Sequence, residues 1–214
     1  MISRLKKSID TYRQHFPDPW ESAPLEQVRF TVLDCEATGH DPQKHSIVSI
    51  GAIAVTECQI DLGDSFEVLL PVRFNTAATL IHGITRQESH AGLPEAEALA
   101  RLLAYLRDAV IVGHHIGFDI KLIDAALRRY SDTWLHNRSI DTGELILRLA
   151  RDGAFDGRDQ PRDLSLDGIC RYFNVIPHDR HTAPGDAFLT AQVFLRLLRF
   201  GQRQGRDRVP GLLD

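Results

Sequence analysis

Asp34 and Glu36 stand two residues apart at the end of an apolar, β-branched run. If that run is a strand, its side chains alternate between faces, so the two carboxylates project to one side and Cys35 to the other. Adjacent carboxylates repel, and they share a face only if solvated, protonated or neutralised by a cation; hard oxygen donors of this kind suit Mg²⁺ or Mn²⁺. The plainer alternative is a solvated strand end whose acids cap the turn at Thr38-Gly39. Asp119 follows the run Ile111 to Phe118 and opens a helical stretch, where an acid also serves the helix N-terminus. His181 and Asp186 straddle the start of the last helical stretch. An H-x4-D spacing occurs three times, at His114/Asp119, His136/Asp141 and His181/Asp186, so spacing alone does not choose among them. Context separates them: Asp141 before Thr142 reads as a helix cap, whereas Pro184 and Gly185 give the His181 segment a loop able to carry an imidazole into a cleft.

The elements that would position these groups follow from periodicity. Val28 to Leu33, Ile47 to Val55 and Phe66 to Leu70 read as strands of an antiparallel meander. A helix from Pro94 to Arg107, a strand from Ala109 to Val112, a helix from Phe118 to Tyr130 and a short strand before Asp141 come next. Thr142 to Ala150, Leu164 to Phe173 and Ala183 to Phe200 read as helices, and Gly153 to Arg162 as a surface loop. This order implies an α/β fold with one mixed sheet flanked by helices. Residues 1–27 read as a helical arm ending at Pro17 and Pro19, residues 28–200 as one domain, and residues 201–214 as a disordered or loosely docked tail.

The chain's 214 residues, 43% hydrophobic, suit one well-buried core. Its net charge of −4 argues against a protein that coats nucleic acid through a basic surface, yet it is compatible with an enzyme whose acids hold cations that meet phosphates. Cys35, Cys58 and Cys170 have no CxxC spacing, which suggests neither a disulfide framework nor a zinc site and fits a reducing compartment. With no apolar signal core and no run of about 18 apolar residues, the expectation is a cytoplasmic protein without membrane contact.

Taken in order, D-x-E at a strand end, G-H-x3-F-D at a strand-to-helix junction and H-x4-D entering the final helix resemble the DEDDh family of 3′-to-5′ exonucleases. The resemblance covers about residues 28 to 200. Glu36-Ala37-Thr38-Gly39 resembles the family's first-motif turn, Ile81-His82-Gly83-Ile84-Thr85 its H-G-[IV]-T segment, and Ser139-Ile140-Asp141-Thr142 its capped fourth helix. His115 stands where the family often has Asn, and Ala37 where Thr is frequent; neither is a metal ligand.

The resemblance implies a ribonuclease-H-like, five-stranded mixed sheet and a site with two Mg²⁺ ions, for which Mn²⁺ would substitute. It implies that Asp34 bridges the ions, that Glu36 and Asp186 complete the site nearest the attacking water, that Asp119 supports the second ion, and that His181 is the general base. Ala37, Thr38, Gly39, His82, His115 and Phe118 would face the substrate, a single-stranded 3′ end. The first motif and the H-G-I-T segment most resemble polymerase proofreading subunits, which favours DNA over RNA and suggests a DNA polymerase as partner. An RNA-trimming exoribonuclease of the same family and a non-catalytic polymerase-docking module are the alternatives.

Overall fold

The computed structural model describes residues 2–16, 23–72, 91–155 and 160–213. Helix α1 (Ile2–Arg13) leads to strands β1 (Phe30–Ala37), β2 (Ile47–Thr56) and β3 (Gln59–Leu69). Helix α2 (Glu95–Leu106), strand β4 (Val110–Gly113), helix α3 (Gly117–Arg128) and strand β5 (Ser139–Asp141) follow. Helices α4 (Thr142–Arg151), α5 (Leu166–Tyr172), α6 (Ala183–Arg203) and α7 (Val209–Leu213) complete the described elements. The strands form one five-stranded mixed sheet in the order β3-β2-β1-β4-β5, with β1 to β3 antiparallel and β4 and β5 parallel to β1. This is the α/β, ribonuclease-H-like arrangement that the sequence implied.

Two apolar cores lie on opposite faces of the sheet, and the alternation of β1 assigns each residue to one of them. Phe30 and Val32 pack into the core that contains α4, α5 and α6, whereas Leu33 and Cys35 pack into the core that contains α1, α2 and α3. By the same alternation Asp34 and Glu36 face α6. On β2, Ile53 and Val55 share the α6 side, and so does Gly51, which pairs with Asp34. A Cβ at Gly51 would lie 2.2 Å from the Pro184 backbone nitrogen, so the missing side chain is what lets the start of α6 lie against the sheet.

Several boundaries differ from those expected. β1 begins at Phe30 rather than Val28 and continues through both carboxylates to Ala37, because β2 remains beside it as a partner. β3 starts at Gln59, not Phe66; it is an edge strand, mostly exposed and rich in polar residues, so its first half carries little apolar signal. The segment from Gly153 to Arg162 is not wholly a surface loop, since Ala154 and Phe155 are buried in the α6-side core; residues 156–159 lie outside the described residues. The tail is also corrected. Val209 and Leu212, three apart on α7, are fully buried, and the Leu25 N–H donates to the Asp207 carbonyl at 2.9 Å. A short apolar pair among many charges carries this docking, too brief to register as a pattern.

Helix α1 lies on the protein's own surface: Leu5, Ile9 and Tyr12 are buried with the α2 and α3 core. Trp20 lies outside the described residues. Among the described residues, no helix is long and apolar enough to cross a membrane, and the three cysteines are free thiols.

Gly51→Ala should drive a methyl group into the α6 backbone. The expected cost is about 1–3 kcal/mol, read as a lower urea midpoint at unchanged slope. A midpoint equal to that of the parent chain would show that the packing of α6 on β2 is looser than described.

Candidate active site

β1 outruns its neighbour on one side. Its pairing with β4 ends at Val32, whereas its pairing with β2 continues to Ala37. The end of β1 therefore has a free edge where parallel strands terminate, the place at which open α/β sheets bind ligands. Asp34, Glu36 and Asp186 converge there, each offering a carboxylate oxygen within 4.8 Å of the others. Asp34 and Glu36 come from β1; Asp186 comes from the first turn of α6, capped by the Thr182 hydroxyl, which accepts the Gly185 N–H at 3.2 Å.

Asp119 reaches the same place from the opposite layer. It lies in the first turn of α3, buried, and its Oδ1 accepts the Cys35 N–H at 2.8 Å. It thus stands beside the three-carboxylate group and satisfies a backbone donor on the open edge of β1. Asp141 is the helix cap that the sequence implied: its Oδ1 accepts the N–H groups of Gly143 and Glu144 at the start of α4. The Oδ2 of Asp141 takes the Ile116 N–H at 3.0 Å and so ties the start of α4 to the start of α3.

So much negative charge in one place distorts the acids. Asp34 is pushed well above the usual carboxylate range, first by burial and then by the charges of Asp119, Asp186 and Glu36. Burial, followed by the charge of Asp186, raises Glu36 to about 7, and burial raises Asp119 to about 7. Arg180, which precedes the motif histidine, supplies positive charge within the protein. Its guanidinium donates to Asp186 Oδ2, and its Nε donates to Asp167 Oδ1 of α5 at 2.6 Å. Burial works against the Arg180 charge, but the bonds to Asp167 and Asp186 outweigh it and raise its pKa.

The donor set fits a divalent cation. Among the described residues, three hard carboxylates face a single arginine, and Asp186 Oδ1 is buried without a hydrogen-bond partner. An orphaned buried carboxylate oxygen is costly unless a cation or water meets it.

The other expected residues surround this point unevenly. His181 is exposed in a left-handed conformation, φ 63°, and its backbone N–H donates to Asp186 Oδ2 at 3.3 Å. Ala37 ends β1 just after a bulge. The Thr38 hydroxyl accepts the Ser46 N–H at 3.0 Å and lies 3.2 Å from His45 Nδ1. A Cβ at Gly39 would lie 2.5 Å from the same His45 ring, so a side chain there would have to displace that ring. His115 and Phe118 line a cleft of about 530 Å³ between the starts of α3 and α4, together with Lys121 and Leu147. His82 lies outside the described residues. Arg180, Asp167, Gly51 and His45 escaped the sequence reading; of these only Arg180, adjacent to His181, offered a signal.

The raised carboxylates fix a pH dependence. The folded, metal-free chain keeps protons on Glu36 and Asp119 up to about pH 7, whereas the unfolded chain releases them in the ordinary carboxylate range. This contribution to stability is therefore fully present at low pH and is lost as pH rises through about 7. In chelator, the melting temperature should fall between pH 5 and pH 8, and Mn²⁺ should raise it more at pH 8 than at pH 5. Equal Mn²⁺ stabilisation at both values would mean that these acids do not hold the ion.

A sequence model of the exonuclease family, RNase_T, matches residues 31–194, well over half of the chain. The chain is 32% identical over 178 residues to a DNA polymerase III PolC-type protein of Thermotoga maritima, covering 82% of this chain and 12% of that one. It is 30% identical over 175 residues to the DNA polymerase III subunit epsilon of Aquifex aeolicus, covering 79% of this chain and 80% of that one. It thus spans only about an eighth of the PolC-type relatives, but most of the epsilon relative. E. coli Exonuclease I in complex with a dT13 oligonucleotide superposes with a TM-score of 0.68 at 20% identity, over 84% of this chain and 43% of that one, which shows a shared fold. On the family match and these relatives, the chain belongs to the DEDDh family of 3′-to-5′ exonucleases.

Proposed function

We propose that the protein removes nucleotides from the 3′ end of single-stranded DNA and releases nucleoside 5′-monophosphates. The observation that carries this reading is the convergence of Asp34, Glu36 and Asp186 at the open end of β1, with one Asp186 oxygen left without a partner among the described residues. In this reading Asp34, Glu36 and Asp186, with Asp119 beside them, hold two Mg²⁺ ions, and Mn²⁺ substitutes. Bound there, the ions would neutralise the phosphate oxygens and lower the pKa of the attacking water.

The chain's own residues do the rest. His181 accepts the water's proton on an imidazole nitrogen as water attacks phosphorus; the bond to the 3′ oxygen of the preceding residue breaks, and that oxygen takes a proton from solvent water and leaves as a hydroxyl. The His181 backbone N–H is hydrogen-bonded to Asp186, which ties the base to a carboxylate that would hold the cation. Phe118 and His115 offer ring faces to the terminal bases in the cleft above α3, a form of contact that does not read sequence. In this reading Ala37, which ends β1, and Thr38 and Gly39 after it meet the terminal sugar and phosphate, and His82 belongs to the same substrate side. The DNA polymerase III relatives support DNA over RNA, a proofreading or repair role, and a polymerase as partner.

Incubating 5′-labelled single-stranded DNA and RNA with the protein and Mg²⁺ should give a ladder that shortens from the 3′ end, faster on DNA. The ladder should vanish with chelator and with Asp34→Ala. Faster shortening of RNA would overturn the substrate assignment, and shortening of neither strand with Mg²⁺ or Mn²⁺ would overturn the enzymatic one. His181→Asn, chosen because asparagine tolerates the left-handed conformation, should slow turnover by roughly 10²–10⁴-fold while calorimetric Mn²⁺ affinity stays within error. Undiminished turnover near neutral pH would remove His181 from the role of base.

A further inference from the structure

One face of α6 carries a row of positive charge without acids among it. From Ala187 to Arg206 there is no acidic residue, while Arg196, Arg199 and Arg203 fall at i, i+3 and i+7, on a single side of the helix. Among the described residues none of the three meets a carboxylate. Arg196 donates to the Gln192 carbonyl at 2.7 Å, the Arg203 guanidinium lies 5.9 Å from the Phe200 ring centre, and Arg199 is exposed. Arg206, the next arginine, differs in being paired with Asp152. Like charges that repel without a counter-charge, held at the rim of a concave site, signal an anionic ligand.

The site has a floor as well as a rim. Tyr172, Phe173 and Phe200 line the same pocket of about 290 Å³. Their rings are fixed by one another and by Phe155, with centroids 4.9 Å apart for Tyr172 and Phe173 and 5.0 Å apart for Phe155 and Phe200. Tyr172 and Phe200 keep part of their surface open. A groove that combines arginines along one side with aromatic rings beneath them suits single-stranded nucleic acid, whose phosphates meet the charges while its bases lie on the rings. An acidic peptide would use the charges but has less use for the rings.

The position relates this pocket to the carboxylates. The seam between α5 and α6 is closed at one end by Asp167, Arg180 and Asp186, and the pocket lies at its other end, beside Tyr172 and Phe200. From Asp186 to Arg199 along α6 is about 20 Å.

We propose that the α5–α6 seam is a second nucleic-acid contact, in which Arg196, Arg199 and Arg203 hold a single-stranded segment of the substrate about 20 Å from the scissile linkage. This rests on the nuclease reading above and adds to it a site that would govern affinity for long strands without taking part in cleavage.

The test separates the two readings. Binding of a 5′-labelled single-stranded DNA of roughly 20 nucleotides, long enough to occupy both sites, is followed by fluorescence anisotropy in chelator across a salt titration. The triple variant Arg196→Gln, Arg199→Gln, Arg203→Gln keeps the side-chain stems and removes the charges. Three lost phosphate contacts should lower the slope of log K against log salt by about 2, while Mn²⁺-dependent turnover of a dinucleotide stays at the parent rate. Equal slopes for parent and variant, with dinucleotide cleavage intact, would overturn the seam and leave the nuclease reading standing. A parent protein that neither binds the strand nor cleaves the dinucleotide would overturn both. Competition by polyglutamate that depends on the arginines, with the DNA slope unchanged, would reassign the pocket to an acidic peptide.

Discussion

Mutual repulsion among buried carboxylates is the constraint around which this fold is arranged. Asp34, Glu36 and Asp186 lie closer together than isolated acids would rest, with Asp119 adding its charge from behind. Water cannot screen them well, so rigid supports hold them against the repulsion. β1 is clamped by β2 through its whole length, α6 is seated on the sheet through the gap at Gly51, and α3 is tied down by Asp141. Arg180, the counter-charge found among the described residues, is itself shared with Asp167. The result is a preformed anionic pocket whose acids outnumber the arginine that meets them among the described residues, a place where a divalent cation would supply the missing charge.

Much of this was legible in the residues because the relevant signals are periodic. The two-residue step from Asp34 to Glu36 put both on one face once β1 was read as a strand, and the helix read from Ala183 put Asp186 in its first turn, although Pro184 and Gly185, read as a loop carrying His181, belong to that turn. The mixed sheet followed from runs of apolar residues of strand length. What escaped was everything that depends on a close approach between distant segments. Gly51 is one glycine in an otherwise ordinary apolar strand, and nothing local says that the backbone at Pro184 will lie above it. Arg180 and Asp167 are thirteen residues apart and meet only because α5 and α6 lie side by side. The half-exposed first part of β3 and the small apolar pair on α7 failed for a different reason: each buries too little surface to impress a pattern on its neighbours.

The layers also divide the labour of the site. The face bearing α6 contributes the three convergent carboxylates and the histidine, so their geometry is set by one helix packed on one strand pair. The face bearing α3 contributes Asp119 and, through His115 and Phe118, the walls of the adjoining cleft. A ligand lying across the open end of β1 would touch both layers at once, and a shift of either helix relative to the sheet would change the spacing between what binds it and what reacts with it.

Asp119 has a consequence of its own. Because β4 stops short, the Cys35 N–H has no strand partner on that side, and the Asp119 carboxylate takes its place as if it were a missing rung of the ladder. The residue is therefore scaffold, and in the proposed reaction it is a participant as well. Shortening it to alanine would strand a buried amide and loosen the strand that carries the two other acids, so an inactive alanine mutant would say nothing about which duty had failed. Asparagine, which keeps an oxygen for the amide and gives up only the charge, is the change that separates architecture from chemistry at this position.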